Sequence, residues 1–258
     1  MELQLSGRKV LITGASQGIG AGLAHAFAAE GCELYLVARS QQKLAQLAAE
    51  VARGGPAVHI LPRDLTSPGA VEAVLDFAGE ADVLVNNAGS IPGGTLWQVD
   101  EVRWRQGWEL KVFGYINLTR AFYPMMKARG GGVILNNIGN GGENFDFDYI
   151  AGSTGNAALM AFTRALGGRS LQDGIRVVGV NPGPVATERI MKVLRARADD
   201  PDDPDAVQAL TANWPLGRAA SVAEIADLFV YLASDRSSYT SGTILTVDGG
   251  ITSRRSIT

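Results

Sequence analysis

Thr13-Gly14-Ala15-Ser16-Gln17-Gly18-Ile19-Gly20 joins an apolar run, Val10-Leu11-Ile12, to a helical pattern that opens at Ile19. Glycines here permit a tight turn and let backbone N–H groups approach a pyrophosphate, which then rests on the helix N-terminus. In a chain with 32 glycines such a triplet says little by itself. Its seat between a strand and a helix is what turns it into a nucleotide signal.

Outward from this turn, short β-branched runs alternate with helical patterns. Strands are predicted over 9–13, 33–37, 57–61, 83–86, 133–138, 176–181 and 243–247, and helices over 19–30, 41–51, 101–123 and 153–171. Ser67-Pro68 predicts a helix start, and Ser221-Val222-Ala223-Glu224 is a capping-box pattern opening a helix to Leu232. The alternation predicts a single α/β domain over 1–258, a doubly wound Rossmann-type parallel sheet flanked by helices on both faces. Ligands of such sheets bind beyond the carboxyl ends of the strands, where the strand order reverses. The acidic, proline-broken stretch 198–205 reads either as a solvated loop or as part of a mobile lid. With the short amphipathic pattern over 188–198 it defines a substrate-lid segment at about 187–214.

Composition narrows the function classes. Of 258 residues, 46% are hydrophobic and 19% charged, and the net charge of -3 gives no basic footprint for nucleic acid. Cys32 is the only cysteine, so neither an intramolecular disulfide nor a cysteine-rich metal site can form. The N-terminus lacks a basic and apolar leader pattern, and no apolar run approaches the ~18 residues a membrane helix requires. A cytoplasmic, membrane-free protein is expected.

The spacing Gly-xxx-Gly-x-Gly differs from that of other dinucleotide folds and resembles the short-chain dehydrogenase/reductase family. Three further segments resemble it in order: Asp64-Leu65 after the third strand, Asn86-Asn87-Ala88-Gly89 after the fourth, and Asn181-Pro182-Gly183-Pro184-Val185-Ala186-Thr187 after the sixth. The resemblance implies that Gly14, Ser16, Gln17, Gly18, Ile19 and Gly20 cradle the pyrophosphate. It also implies that Asp64 and Leu65 meet the adenine, that Asn87, Ala88 and Gly89 lie beside the ribose, and that Pro182, Gly183, Val185 and Thr187 hold the nicotinamide amide. An NAD site places a carboxylate at the end of the second strand. Here Ala38 is neutral and Arg39 follows, so a guanidinium can pair with a ribose 2′-phosphate, although Gln17 supplies no second cation. NADP(H) is therefore expected in preference to NAD(H). The family resemblance also implies a homo-oligomer, a tetramer or dimer, formed through the long helices from Glu101 and Ser153.

At the catalytic positions the resemblance breaks. The run 157–166 in the family follows a Tyr-x-x-x-Lys motif, and matching the two puts Gly152 at the tyrosine and Asn156 at the lysine. Similar matching puts Lys111 at the relay asparagine and Gly139-Asn140 at the Ser-Ser pair. Lysine and asparagine thus stand exchanged between 111 and 156. Tyr149 precedes Gly152 by three residues, so an early helix start brings its phenol to the vacated place, with Lys111 lowering its pKa. The competing expectation is that Tyr149 only packs in the 144–149 loop; Asp146 and Asp148 are further candidates for a base. His25 and His59 fall within a helix and a strand, away from the strand ends. The implied function is an NADP(H)-dependent oxidoreductase acting on a small-molecule carbonyl or alcohol through an atypical relay of Lys111, Asn140, Tyr149 and Asn156. A nucleotide-binding pseudoenzyme is the alternative, and a non-redox dehydration or isomerisation a third.

Overall fold

The computed structural model describes residues 2–198, 200 and 203–254. Seven strands form one sheet: β1 (Lys9–Thr13), β2 (Glu33–Ala38), β3 (Val58–Pro62), β4 (Val83–Asn86), β5 (Gly132–Asn137), β6 (Ile175–Pro182) and β7 (Thr243–Val247). Their order is β3-β2-β1-β4-β5-β6-β7, and every pair is parallel. The order reverses between β1 and β4, and there the glycine turn emerges.

Alternation along the strands separates two cores. Val10 and Ile12 share one face with Leu34, Leu36, Val83 and Val85, packed under α1 (Gly18–Ala29), α2 (Gln41–Val51) and α9 (Val222–Ala233). Leu11, Val37, Leu84, Ile134 and Val177 point the other way, onto α3 (Ala70–Ala78) and α5 (Gly114–Ala128). Burial on both faces is why the strands read as near-continuous apolar runs.

Three local expectations are corrected. Ser67 does not cap a helix: α3 starts at Ala70 after Gly69 (φ +69°), and the Ser67 hydroxyl donates to Asp64 O at 2.6 Å. The helix expected over 101–123 is α4 (Glu101–Trp108) and α5, joined by a π turn over Glu109–Phe113. Finally, α6 (Ile150–Ser170) starts three residues early, because Ser153 N–H and Gly152 N–H both bond to Tyr149 O. The lid segment holds α7 (Glu188–Arg197) and α8 (Pro204–Ala209), while Asp199, Pro201 and Asp202 of that expectation lie outside the described residues. The capping box forms as expected: Ser221 Oγ accepts from Glu224 N–H at 3.1 Å, and the Glu224 carboxylate accepts from Ser221 N–H at 2.7 Å.

Candidate active site

The glycine turn is a cradle with no room for side chains. Gly14 and Gly18 have φ of +64° and +58°, and a Cβ added at Gly20 would stand 2.2 Å from Gly14 O. One added at Gly14 would stand 2.8 Å from Ala88 Cα, so the turn lies directly on the loop after β4. Gln17 precedes α1 in an extended conformation and its side chain caps nothing. The first N–H groups of α1 are thus left without a side-chain acceptor, the arrangement an anion fits.

A polar ladder fixes this end of the sheet. Thr13 Oγ1 accepts from Asn87 N–H (3.0 Å) and Ala88 N–H (3.1 Å) and donates to Val85 O (3.3 Å). The Asn87 amide donates to Thr13 O (2.9 Å) and accepts from Asn137 Nδ2 (2.7 Å). One rung deeper, Asn86 Nδ2 donates to Asn136 Oδ1 (2.9 Å), and Asn136 Nδ2 in turn donates to Thr163 Oγ1 (2.9 Å). The ends of β1, β4 and β5 are thereby locked together. Thr187 closes the far side: a Cβ on Gly18 would meet its methyl group at 3.4 Å. Pro182 ends β6 and Gly183 follows it, with Gly183 N–H bonded to Val247 O (3.0 Å), and Val185 is buried.

At the outer end, Arg39 is exposed. The Asp64 carboxyl is held below the usual carboxylate range by the N–H and hydroxyl of Thr66, with Arg39's charge adding to this. Leu65 packs against the second core. A second cation, not foreseen from Gln17, arrives from α2: Lys43 Nζ donates to Gln17 Oε1 at 2.9 Å. The signal was its place three residues after the α2 cap, Ser40.

The four relay positions part company. Tyr149 enters the space that Gly152 leaves: a Cβ on Gly152 would stand 1.9 Å from the Tyr149 Cζ. The ring also lies against Gly141 and packs on Ile91, Val99 and Ala151 beside Trp104 and Trp108. Lys111 rises from the π turn, its stem against Gly89 and its ammonium donating to Ile138 O. Burial, with Arg189's charge added, pushes that ammonium down to about 7. Asn140 belongs elsewhere: its amide donates to Asp248 Oδ2 at 3.2 Å. Asn156 is buried, and its Oδ1 has no hydrogen-bond partner. It is the amide nitrogen, Nδ2, that lies beside Gly139, 3.3 Å from where a Cβ there would stand.

Two further groups escaped the sequence. Tyr115 lies four residues beyond Lys111, fully buried, donating to Asn137 O at 2.8 Å; burial first, and then Tyr149's proximity, raises its phenol pKa. Only the i, i+4 spacing could have pointed to it. Arg189, in the first turn of α7, reaches Ile91 O at 3.4 Å. Asp146 and Asp148 are exposed and engaged with their own loop, where Asp148 N–H bonds to Asp146 Oδ1 (2.8 Å). The histidines lie outside the site: His59 pairs with Glu33 at 3.0 Å and His25 with Glu50 at 3.7 Å. Among the described residues, no group of three or more His, Cys, Asp or Glu could hold a metal, and no helix is long and apolar enough to cross a membrane.

Comparison with known proteins agrees with this geometry. Residues 14–252 match the family model described as enoyl-(acyl carrier protein) reductase. The chain is 35% identical to oxidoreductase UcpA of Salmonella typhimurium, over 98% of both chains. It is 30% identical to the 7alpha-hydroxysteroid dehydrogenase of Escherichia coli (strain K12), over 96% of this chain and 95% of that one. Among solved structures, L-sorbose reductase from Gluconobacter frateurii in complex with NADPH and L-sorbose superposes with a TM-score of 0.93. It shares 33% identity, with 99% of this chain and 100% of that one covered. A 7 alpha-hydroxysteroid dehydrogenase complexed with NADH superposes at 0.87, with 29% identity and 96% of each chain covered.

Proposed function

The chain belongs to the short-chain dehydrogenase/reductase family of oxidoreductases, and on that footing we propose that it is an NADPH-dependent carbonyl reductase with a relocated proton relay. One observation carries the reading: the Tyr149 ring fills the volume that a side chain on Gly152 would take. A phenol is thereby brought beside position 152 from a residue three positions earlier.

The glycine turn, Asn87 to Gly89 and Pro182 to Thr187 would hold the cofactor, Arg39 and Lys43 would meet its 2′-phosphate, and the bound cofactor supplies the hydride. Tyr149 donates its proton to the substrate oxygen as charge develops there. Lys111, titrating near neutrality, supports the phenolate and resupplies the proton. Tyr115 holds the Asn137 carbonyl and stays neutral. Helices α7 and α8 form the lid.

The pseudoenzyme reading has its own support, since position 140 carries an amide in place of the family's serine hydroxyl and that amide is tied to Asp248. Hydride transfer separates the two. NADPH should be oxidised with at least one compound from a panel of ketones and aldehydes; binding without any oxidation would make this a nucleotide-sensing protein. Exposed apolar side chains on α4 (Val102), in the π turn after it (Phe113) and just past the end of α6 (Leu171) support a homo-oligomer, which light scattering at micromolar concentration would test.

A further inference from the structure

We propose that Asp248 is a positioning residue that couples the lid to the seat of Tyr149. This rests on the reductase reading of the same site.

Asp248 follows β7 and is buried, yet among the described residues it makes no ion pair. Its carboxylate is held by N–H groups instead. Oδ1 accepts from Gly250 N–H (2.9 Å), and Oδ2 accepts from Thr252 N–H (2.8 Å) and from the Asn140 amide (3.2 Å). Burial by itself raises the pKa of such a group. The donors from Thr252, Asn140 and Gly250 outweigh it and hold the carboxyl below the usual carboxylate range. Charge-assisted bonds of this kind are directional, so the segments that supply the donors are fixed relative to one another.

Three parts of the site meet on this residue. The first is the turn after β5. Asn140 O accepts from the N–H groups of Glu143 (2.9 Å) and Asn144 (2.8 Å), and a Cβ on Gly141 would stand 3.5 Å from Tyr149 Cδ1. Asn140 thus sets one wall of the slot that holds the proposed acid. The second is the segment after β6, where a Cβ on Gly183 would stand 2.6 Å from Asp248 Cβ. The third is the C-terminal turn over 248–254, on which the foot of the lid stands. A Cβ on Gly249 would stand 2.4 Å from Pro215 Cβ, and Arg254 Nη1 donates to Asn213 O at 3.0 Å.

The foot is tied to α8, because Thr211 Oγ1 (2.8 Å) and Gln208 Nε2 (3.1 Å) both donate to Gly217 O. Within it Leu216 has φ of +56°, which costs a non-glycine residue energy. A cavity of about 460 Å³, lined by Met191, Leu194, Thr211 and Glu224 among others, separates α7 and α8 from the start of α9. The lid therefore has room to move over a foot that stays on the turn. A shift of the foot passes through the turn and Asp248 to Asn140, and from there to the wall of Tyr149.

Asp248→Asn leaves one oxygen for three donors and tests the link. With the most readily reduced member of the ketone and aldehyde panel, kcat should fall ~10- to 100-fold, far more than NADPH affinity changes. Adding Asn140→Asp rebuilds the side-chain bond with donor and acceptor exchanged, and should return kcat to within ~3-fold of the unaltered protein. In a Tyr149→Phe background, Asp248→Asn should cost no further turnover. Hydrogen exchange on the NADPH-loaded full chain supplies a readout apart from activity. Arg254→Ala should speed exchange over 211–217 and 141–144 together, and in the Asp248→Asn background only over 211–217. A doubly exchanged variant no better than Asp248→Asn would overturn the inference. So would an Arg254→Ala effect confined to 211–217 when Asp248 is intact. If no carbonyl compound is reduced, hydrogen exchange still decides the coupling, and the reductase reading is what fails.

Discussion

The cradle at β1 and β4 and the relay at β5 and α6 lie a few ångströms apart and are built from different materials. The cradle is backbone. Its donors are main-chain N–H groups, its shape depends on missing Cβ atoms, and a Cβ at Gly20 would lie 2.2 Å from Gly14 O. Such a device cannot be moved to another point of the chain, because the positive φ of Gly14 and Gly18 is tied to their positions. The relay is side chain. A phenol or an ammonium needs only to arrive at the right point in space, and several Cα positions can deliver it. Tyr149 reaches the space above Gly152 from the cap of α6, and Lys111 comes from another helix altogether. On the proposed reading, the catalytic half of this fold is rewritten while the binding half stays fixed.

The sharpest way to break this contrast is to remove one hydroxyl. Tyr149→Phe should lower turnover by about 100- to 10,000-fold while NADPH affinity, read by calorimetry, stays within a few fold. Retained turnover would leave Tyr149 a packing residue. Close behind comes Gly152→Ala. Its methyl group would fall 1.9 Å from Tyr149 Cζ and must displace the ring, so turnover should drop by about 100-fold or more. In the Tyr149→Phe background the same change should cost little further turnover, a non-additivity that kinetic double-mutant analysis reads directly.

A middle-sized effect belongs to the binding half. Arg39→Asp should shift the ratio of NADPH to NADH affinity toward NADH by about 10- to 100-fold, as expected for loss of a charge-assisted pair. Comparable affinities for both cofactors in the unaltered protein would remove Arg39 and Lys43 from any selective role.

The smallest effect is in stability. Lys111 titrates near 7 in the folded chain against 10.5 when unperturbed, so between those values the unfolded chain holds the extra proton. Stability then rises with pH across that window, and the penalty of the buried charge is present in full below about 7. Lys111→Met should therefore raise the Tm most in acid, with the gain fading toward pH 10.5. Each kcal/mol recovered corresponds to roughly 2–4 °C for a chain of this size. The same variant should lose the break near neutrality in the pH profile of whatever turnover remains.

The cradle and the sheet were legible for the reason that makes them immovable. Glycines with forced φ, and apolar runs at strand spacing, leave marks at fixed intervals, and Gly14, Asn87 and Thr187 stand together as the motif order implied. The exchanged pair at 111 and 156 was visible as two residues out of place, but not the divergent fates of its neighbours. Asn140 was read as a relay member, and its amide bonds instead to Asp248, more than a hundred residues away in sequence. No local pattern records that distance. Tyr115, Lys43 and Arg189 escaped because each acts through the reach of a long side chain, which spacing on its own helix barely constrains.

The π turn at Glu109–Phe113 carries a consequence of another kind. A helix advances about 100° per residue, so a stretch with one residue too many is a phase shifter between the pieces it joins. Upstream, Trp104 and Trp108 are keyed to the wall around Ile91; downstream, Leu118, Phe122 and Met126 are keyed to the sheet. Both sets of anchors are satisfied only while the shift is present. Point substitutions in these five residues leave the phase intact, whereas deleting any one of them heals the helix and rotates half of its anchors out of register. For this stretch, length is a constraint of its own, beside the identity of Lys111.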